Sequence, residues 1–179
     1  SNSATQAGGA IWSETGMLTI TNATIYGNTA GTSGGGVHAN GIMSTVSNTI
    51  LWSNTDGMGM VETSQFFTNN YGMVTMDYSC VQGLSALAGN NNIDGDPMLD
   101  ILDNNFGTAR THAVLAGSSV IDAGTGTSDD QNDTPVNGAA KDIGAFEYVP
   151  ACGDITGLDA VGIGDDEATI IWDPVSGAT

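Results

Sequence analysis

A unit of 26 residues occurs twice between residues 8 and 55, and this repeat constrains the fold more than any other feature of the chain. An offset of 26 places Gly8–Ile11 on Gly34–Val37, and both stretches read as two glycines, a small residue and an aliphatic one. The same offset relates further pairs of similar residues: Ile20 and Val46, Asn22 and Asn48, Ile25 and Leu51, Tyr26 and Trp52, and Asn28 and Asn54. Such self-similarity is typical of architectures that stack one supersecondary unit on the next.

The residues within each copy predict short strands joined by a sharp bend. Leu18 and Ile20 alternate with polar residues, as in a half-buried strand. The alternation shifts by one residue at Asn22, after which Ala23 and Ile25 form the next apolar pair. Asparagine tolerates the left-handed backbone that a sharp bend often needs. The repeat therefore predicts an all-β chain whose 26-residue units are coils of a parallel β-helix, with an all-β sandwich as the alternative.

Stacked coils would set equivalent residues about 4.8 Å apart on neighbouring strands. We therefore expect amide ladders between equivalent asparagines and inward-facing columns of equivalent aliphatic residues. The ladder pairs are Asn22 with Asn48 and Asn28 with Asn54, and the column pairs are Ile20 with Val46 and Ile25 with Leu51.

The register of a third coil stays open on sequence grounds. Residues 56–72 form a polar, methionine-bearing stretch that predicts a loop, and residues 74–81 predict a new strand. An offset of 26 places Tyr78 on Trp52, whereas an offset of 28 places Val74 on Val46. The sequence does not decide between these two registers.

The charge balance narrows the classes of partner. The 179-residue chain has 20 acidic residues and two basic ones, Arg110 and Lys141, and its formal net charge is −18. Such a surface repels phosphate backbones and anionic lipids, so we expect no nucleic-acid partner and no anionic membrane partner. The sequence has no apolar run long enough to span a bilayer, so we expect no membrane insertion of this segment. The composition suits a solvated extracellular β-protein.

The two cysteines, Cys80 and Cys152, form neither a disulfide scaffold nor a metal-binding motif. We expect free thiols, because Cys80 falls where an inward-facing apolar residue would fit.

Six short motifs follow one another in an order that carries a family likeness. They are Asn48–Asn54 (NTILWSN), Tyr78–Gly83 (YSCVQG), Asn92–Pro97 (NIDGDP), Arg110–Leu115 (RTHAVL), Gly117–Gly124 (GSSVIDAG) and Asp142–Tyr148 (DIGAFEY). This series resembles bacterial right-handed parallel β-helix surface proteins of the choice-of-anchor type, which are related in style to polymorphic outer-membrane proteins. The resemblance covers residues 1–148 and departs at Ser119, where such sequences usually have proline. It implies a secreted or surface-displayed protein and no established catalytic residues.

The last residues of the chain do not continue the repeat pattern. Residues 155–161, a turn at residues 164–166 and residues 168–178 are similar to the opening of a fibronectin type III domain, with Trp172 as its core tryptophan. Such a sandwich needs about 100 residues. We therefore expect three parts: β-helix coils over residues 1–85, final coils and a capping region over residues 86–150, and an incomplete sandwich over residues 151–179. Because residues 2–4 match residues 28–30, the first residues are expected to be the tail of an earlier coil.

Catalysis on a polysaccharide is the main enzymatic alternative, and the sequence disfavours it. A lyase of this fold needs a basic residue beside the sugar carboxylate. Arg110 and Lys141 are the two candidates, and each lies in a motif with a structural role. A hydrolase needs converging carboxylates, but Glu14 is the only acid between residues 8 and 55. We therefore predict no enzyme activity and no catalytic residues.

The clustered acids are weak candidates for a metal site. Asp94, Asp96 and Asp100 lie within seven residues around a Gly-Asp-Pro turn, and calcium prefers several oxygen ligands from such a loop. Turn formation explains these aspartates without a metal. A second acidic group, Asp129 with Asp130 and Asp133, is expected to be a solvated loop. Asp165, Asp166 and Glu167 are expected to form a polar hairpin tip. We expect no cofactor and at most weak calcium binding.

Three aromatic residues are candidate carbohydrate contacts: Trp12, Tyr26 and Trp52. The offset of 26 relates Tyr26 to Trp52 and Trp12 to His38, so both pairs are expected to stack on the outside. Exposed aromatic ladders can cradle sugar rings, but they can also cover a loop or add stability. His112 is expected to be a hydrogen-bonded packing residue.

These observations predict a non-catalytic structural and adhesive rod segment of a large modular protein, extracellular or on a bacterial cell surface. A carbohydrate-binding or polysaccharide-cleaving β-helix is the alternative. The expected partners are adjacent domains of the same long chain or neighbouring copies joined end to end as filaments, together with surface glycans.

Overall fold

The computed structural model describes residues 1–41, 43–69, 74–87, 89–105, 109–131, 134–150, 159–161 and 169–171. The chain divides into two compact units, Ser1–Tyr148 and Val149–Thr179. The described residues fold almost entirely as strands, so the fold is all-β, as the sequence predicts. The one described helix has four residues. Among the described residues, no helix has the length and apolar character needed to cross a membrane.

The first unit contains eleven of the described strands, most of them short. In chain order they are β1 (Ser3–Ala4), β2 (Ile11–Ser13), β3 (Met17–Tyr26), β4 (Thr29–Ala30), β5 (Val37–Ala39), β6 (Met43–Trp52), β7 (Phe66–Phe67), β8 (Val74–Asp77), β9 (Cys80–Val81), β10 (Leu99–Asp103) and β11 (Thr111–Val114). The helix α1 (Glu62–Gln65) comes immediately before β7.

The two repeat copies pair in parallel in the register that the sequence predicts. Strand β3 lies beside β6 with Ile20 opposite Val46 and Ile25 opposite Leu51. Strands β1 and β4, and β2 and β5, also pair in parallel. The four aliphatic residues of the predicted columns are buried, with exposed fractions of at most 8%. The offset of 26 and the inward columns are therefore confirmed.

The third copy pairs at an offset of 30, so both registers considered from sequence are wrong. Strand β6 pairs in parallel with β8, Val46 opposite Met76, and with β9, Ile50 opposite Cys80. The bend that Asn48 makes falls at Tyr78, whose φ of 49° is in the same left-handed region. A tyrosine is an unusual residue there, because a bulky side chain disfavours this backbone conformation. The sequence therefore carries no visible sign of the third bend.

The stretch predicted as a loop over residues 56–72 contains regular structure. It includes α1 and then β7, which pairs in parallel with β5 and places Phe66 opposite Val37. Prediction of a loop was wrong here because an element of four residues and one of two are too short to show a period.

Two apolar clusters of described residues lie in the first unit. The first lies between the sheet β2-β5-β7 and the sheet β3-β6-β8, and its buried members include Val37, Val46, Leu51, Phe66 and Met76. The second cluster contains Ile50 and Cys80, which residues from β11 and beyond cover: Val114, Val120 and Ile143. Strand β6 is therefore buried on both faces near Ile50.

The predicted amide ladders are present. Asn48 Nδ2 donates to Asn22 Oδ1 at 3.1 Å, and Asn28 Nδ2 donates to Asn54 Oδ1 at 2.9 Å. The second ladder continues into α1, where Gln65 Oε1 accepts from Asn54 Nδ2 at 2.9 Å. A glutamine from the short helix thus takes the place that a third asparagine would occupy.

The described part of residues 118–148, named the covering segment below, lies against the bends of the repeat. The backbone N–H of Gly144 donates to the carbonyl of Asn48 at 2.9 Å, and that of Ala145 donates to Thr24 Oγ1 at 3.1 Å. The Asn48 side chain also exchanges two hydrogen bonds with the backbone of Thr125, at 2.7 and 2.9 Å. Before this segment, β10 and β11 form an antiparallel pair.

In the second unit the described residues form one antiparallel pair, β12 (Asp159–Val161) with β13 (Thr169–Ile171). Trp172, Cys152 and the acidic residues 165–167 lie outside the described residues. The fibronectin type III resemblance therefore stays a prediction.

Candidate functional site

The three candidate sugar-contacting aromatics do not lie in one place. Trp12 on β2 is 61% exposed, whereas Tyr26 at the end of β3 is 37% exposed and Trp52 at the end of β6 is half-buried. Tyr26 and Trp52 line one groove, and Trp12 lines another. The structure therefore separates Trp12 from the other two.

The expected outward stacks differ from the observed contacts. Trp12 is opposite His38 in register, but His38 is only 8% exposed and stacks on Phe67, with ring centroids 4.8 Å apart and planes 22° apart. Tyr26 packs against His112 at 4.8 Å, and Trp52 packs against the second apolar cluster. The difference arises because β7 and the later hairpin, which the sequence did not reveal, cover these rings.

The Trp12 groove has a volume of ≈380 Å³ and combines one exposed aromatic plane with polar side chains. Its lining includes Trp12, Glu14, Thr32, Ser33, His38 and Asn40. All of these residues belong to the two repeat copies, so the parallel pairing of β2 with β5 assembles the groove.

Two paired glycines allow β2 and β5 to approach. A Cβ atom added to Gly9 would lie 2.2 Å from the carbonyl oxygen of Gly35, a distance that no side chain tolerates. Gly34, with φ of 62°, turns the chain into β5 in a conformation that favours glycine. The Gly-Gly motif of the repeat therefore places Trp12 beside His38.

Hydrogen bonds on both ring nitrogens hold His38 in the wall of the groove. Asn40 Nδ2 lies 2.7 Å from Nε2, and Ser33 Oγ lies 3.0 Å from Nδ1. Because an amide nitrogen can only donate, Nε2 accepts and the ring proton is on Nδ1, which donates to Ser33. Burial lowers the pKa of His38, and the carboxylate of Glu14 opposes this shift. The ring is therefore neutral at pH 7, and the Ser33 hydroxyl proton is left to donate elsewhere.

The second groove also combines aromatic and polar surface. Tyr26, Trp52, Met98 and Leu115 line it together with Asp96, and its volume is also ≈380 Å³. The carboxylate of Asp96 is turned to the backbone, accepting from the N–H of Met98 at 2.8 Å. This groove therefore offers aromatic edges beside a carboxylate that is engaged with the backbone.

The three candidate calcium ligands, Asp94, Asp96 and Asp100, each accept a hydrogen bond from a different backbone N–H group. Asp94 accepts from the N–H of Gly83 at 2.7 Å, and Asp100 accepts from that of Ile101 at 2.7 Å, while Asp96 is bound to Met98. In the described part of the chain, no group of three or more histidine, cysteine, aspartate or glutamate side chains is arranged to hold a metal ion. These contacts fit the turn-forming interpretation of the three aspartates.

The covering segment contains a buried polar cluster that the sequence did not reveal. Asp130, Lys141, Asp142 and Glu147 are each at most 7% exposed. Asp130 was expected to be solvated, but its carboxylate accepts from the N–H groups of Glu147 and Thr134 at 3.0 and 2.8 Å. That expectation was wrong because the covering segment folds back on itself. Its neighbour Asp129 is exposed, and Asp133 lies outside the described residues.

Asp142 is the most perturbed member of this cluster. Its two carboxylate oxygens accept from the backbone N–H groups of Asp122 and Tyr148 at 2.7 and 2.6 Å. Burial nevertheless raises the pKa of Asp142 to about 6, and the neighbouring charges of Glu147 and Asp122 add to the rise while the two hydrogen bonds oppose it. Lys141 Nζ donates to the carbonyl of Ser128 at 2.8 Å, which gives this lysine the structural role that its motif suggested.

Cys80 and His112 have the surroundings expected of them. Cys80 is a free, fully buried thiol, and burial raises its pKa to about 12, with smaller contributions from Asp94 and Asp96. His112 Nδ1 lies 2.7 Å from the carbonyl oxygen of Asp100 while its ring packs on Tyr26, so its role as a hydrogen-bonded packing residue is confirmed.

Comparison with protein-family models, with curated proteins and with solved structures finds no match to this chain.

Proposed function

We propose that residues 1–148 belong to a right-handed parallel β-helix, and that this β-helix is a structural and adhesive rod segment of a larger extracellular or bacterial cell-surface protein. The observation that carries the proposal is the in-register parallel pairing of three successive copies, from β3 through β6 to β8 and β9. Amide ladders and buried aliphatic columns run across the same copies, and both features favour stacking over a sandwich.

End-to-end contact is the association that this architecture favours. Among the described residues, β1, β2 and β3 each pair on one side only, which leaves a row of unpaired backbone groups. An adjacent domain of the same chain or a neighbouring copy can pair with such an edge. Contact of this edge with the opposite edge strands of the same sheets, β7 and β8, would join two different surfaces, so it need not close, and repetition would give filaments.

The proposed role is adhesive contact without cleavage. The Trp12 groove offers an aromatic plane and polar groups, which suits carbohydrate contact, but Glu14 is the only acid among the described residues that line it. Glycoside hydrolysis generally uses two carboxyl groups on either side of the scissile bond. The groove therefore favours binding over the polysaccharide-cleaving alternative.

Sedimentation velocity tests the rod proposal. We expect the wild-type chain to sediment faster as its concentration rises, because free edges pair. The variant Thr19→Lys places a charge on the edge strand β3 and should weaken this association, as lysines do on natural sheet edges. The matched control Thr45→Lys alters the residue opposite Thr19 on the inner strand β6 and should behave as wild type. A wild-type chain that stays monomeric at every concentration would contradict end-to-end association.

A further inference from the structure

We infer that the Trp12 groove binds an uncharged pyranose glycan, with one sugar ring stacked on the Trp12 indole. This inference rests on the proposed adhesive function and names its ligand class. Its evidence is the arrangement of an exposed aromatic plane, a free polar rim and an acidic surrounding at one place on the two repeat copies.

The exposed indole is the first part of the argument. Trp12 lies on the edge strand β2 and is 61% exposed, whereas the equivalent His38 on β5 is covered by Phe67. An exposed tryptophan offers a large apolar plane at a low cost in side-chain entropy, together with one N–H donor. A pyranose ring presents C–H groups on its faces and hydroxyls on its rim. The indole plane can therefore pack against the C–H groups of the sugar, and the indole N–H can donate to a sugar hydroxyl.

The polar rim is the second part. Asn40 donates one amide hydrogen to His38 Nε2, which leaves its carbonyl oxygen and its second N–H for a ligand. Ser33 accepts the His38 Nδ1 proton, which leaves its own hydroxyl proton to donate. Thr32 and Glu14 add an exposed hydroxyl and an exposed carboxylate. Neighbouring sugar hydroxyls both donate and accept, and this rim offers both kinds of partner.

Charge decides which glycans fit. Glu14 is an exposed carboxylate on the groove, His38 is neutral there, and the whole chain has a net charge of −18. Like charges brought together at a binding site oppose association. Sulfated, phosphorylated and uronic-acid glycans are therefore disfavoured, and neutral glycans, which meet no such repulsion, are the class that we infer.

The second groove is the weaker candidate for the same role. Tyr26 packs on His112, Trp52 packs on the second apolar cluster, and Asp96 is bound to the backbone. Its aromatic planes and its carboxylate are thus already engaged. Tyr26 consequently provides a matched control: an aromatic residue of β3 with 37% exposure that lies outside the Trp12 groove.

Isothermal titration calorimetry with defined oligosaccharides tests the inference. The probes are linear hexasaccharides of glucose, mannose and galactose, with hexagalacturonate as the charged counterpart of the galactose chain. The variants are Trp12→Ala, Trp12→Phe and Asn40→Ala, with Tyr26→Ala as the control. Circular dichroism and sedimentation of each variant verify that the fold and the proposed end-to-end association are retained, so failure of glycan binding is distinguishable from failure of the rod proposal.

We expect at least one neutral hexasaccharide to bind, and hexagalacturonate to bind more weakly. Trp12→Ala should weaken binding by about tenfold or more, because the stacking surface is removed, while Trp12→Phe keeps part of it and should lose less. Asn40→Ala should also weaken binding, and Tyr26→Ala should not. Binding of none of the neutral probes, preference for hexagalacturonate, or equal affinity of wild type and Trp12→Ala would each overturn the inference.

Discussion

At the scale of single residues, the left-handed bend recurs in three successive copies while the side chain that makes it changes. Asn22, Asn48 and Tyr78 have φ angles of 49°, 46° and 49°. Asparagine adopts this conformation more readily than other residues with a Cβ atom, whereas a bulky residue pays a steric cost of about 1 kcal/mol or more. The third bend therefore stores strain that the first two largely avoid.

A pair of substitutions at Tyr78 measures this strain. Tyr78→Gly should be more stable than Tyr78→Ala by about 1 kcal/mol in urea denaturation, because glycine adopts the left-handed backbone without a steric penalty. Both variants lose the same ring contacts, so the difference isolates the backbone. At Thr75, an exposed residue of β8 outside the bend, the order should reverse and Gly should be the less stable. A less stable Tyr78→Gly would contradict the assigned conformation.

At the scale of elements, the covering segment depends on a carboxylate whose ionised form is disfavoured. The pKa of Asp142 is about 6 in the folded protein against an ordinary value of 3.8. A raised carboxyl pKa means that the folded protein binds the proton more tightly than the unfolded chain does. Its contribution to stability therefore increases as pH falls through 6, and it is lost again above 6.

The comparison of wild type with Asp142→Asn isolates this contribution. The lowered pKa of His38 acts in the opposite direction, but it is common to both proteins and cancels in the difference. We expect the unfolding free energy of wild type minus that of Asp142→Asn to rise by on the order of 1–2 kcal/mol between pH 7 and pH 5. The control Asp129→Asn, at an exposed site of the same segment, should parallel wild type. A difference that is flat or that falls over this range would show that Asp142 has no raised pKa.

Structural features that repeat in neighbouring copies were predictable from the sequence, whereas features that depend on contacts between residues far apart in the chain were not. The offset of 26, the aliphatic columns and the amide ladders were predictable because two copies show the same pattern side by side. The offset of 30 was not predictable, since α1 and β7 are too short to show a period and Tyr78 replaces the expected asparagine. The burial of Asp130 and Asp142 depends on folding of the covering segment against Asn48, a contact between distant residues that no local pattern encodes.

Part of the candidate site at the Trp12 groove was also predictable from the sequence, and part was not. Trp12 was identifiable as an exposed aromatic from its place in the repeat. The polar network of Ser33, His38 and Asn40 was not, because its hydrogen bonds depend on a tautomer and on the covering ring of Phe67.

At the scale of the whole molecule, a net charge of −18 attracts cations, so a dedicated calcium site is a testable possibility. Calcium generally takes six to eight oxygen ligands at one place, and the carboxylates of Asp94, Asp96 and Asp100 are instead turned to separate backbone N–H groups. We therefore expect excess calcium to raise the melting temperature no more than sodium at matched ionic strength does, with a chelator-treated sample as the reference. A large additional rise with calcium would reveal a dedicated site.

The amide ladder gives the two ends of the repeat different chemistry. Asn28 donates from both its backbone and its side-chain nitrogen to Asn54, and Asn54 donates in the same manner to Gln65. Asn28 and Asn54 thus give these hydrogens toward the C-terminal side, whereas in the other ladder Asn48 gives its amide hydrogen to Asn22, toward the N-terminal side. At the N-terminal end of the ladder of Asn28, Asn54 and Gln65, the side-chain oxygen of Asn28 accepts from the backbone N–H of Asn2 at 2.7 Å. The ladder of Asn28, Asn54 and Gln65 is therefore polar along the stack, and the ladder of Asn22 and Asn48 has the opposite polarity.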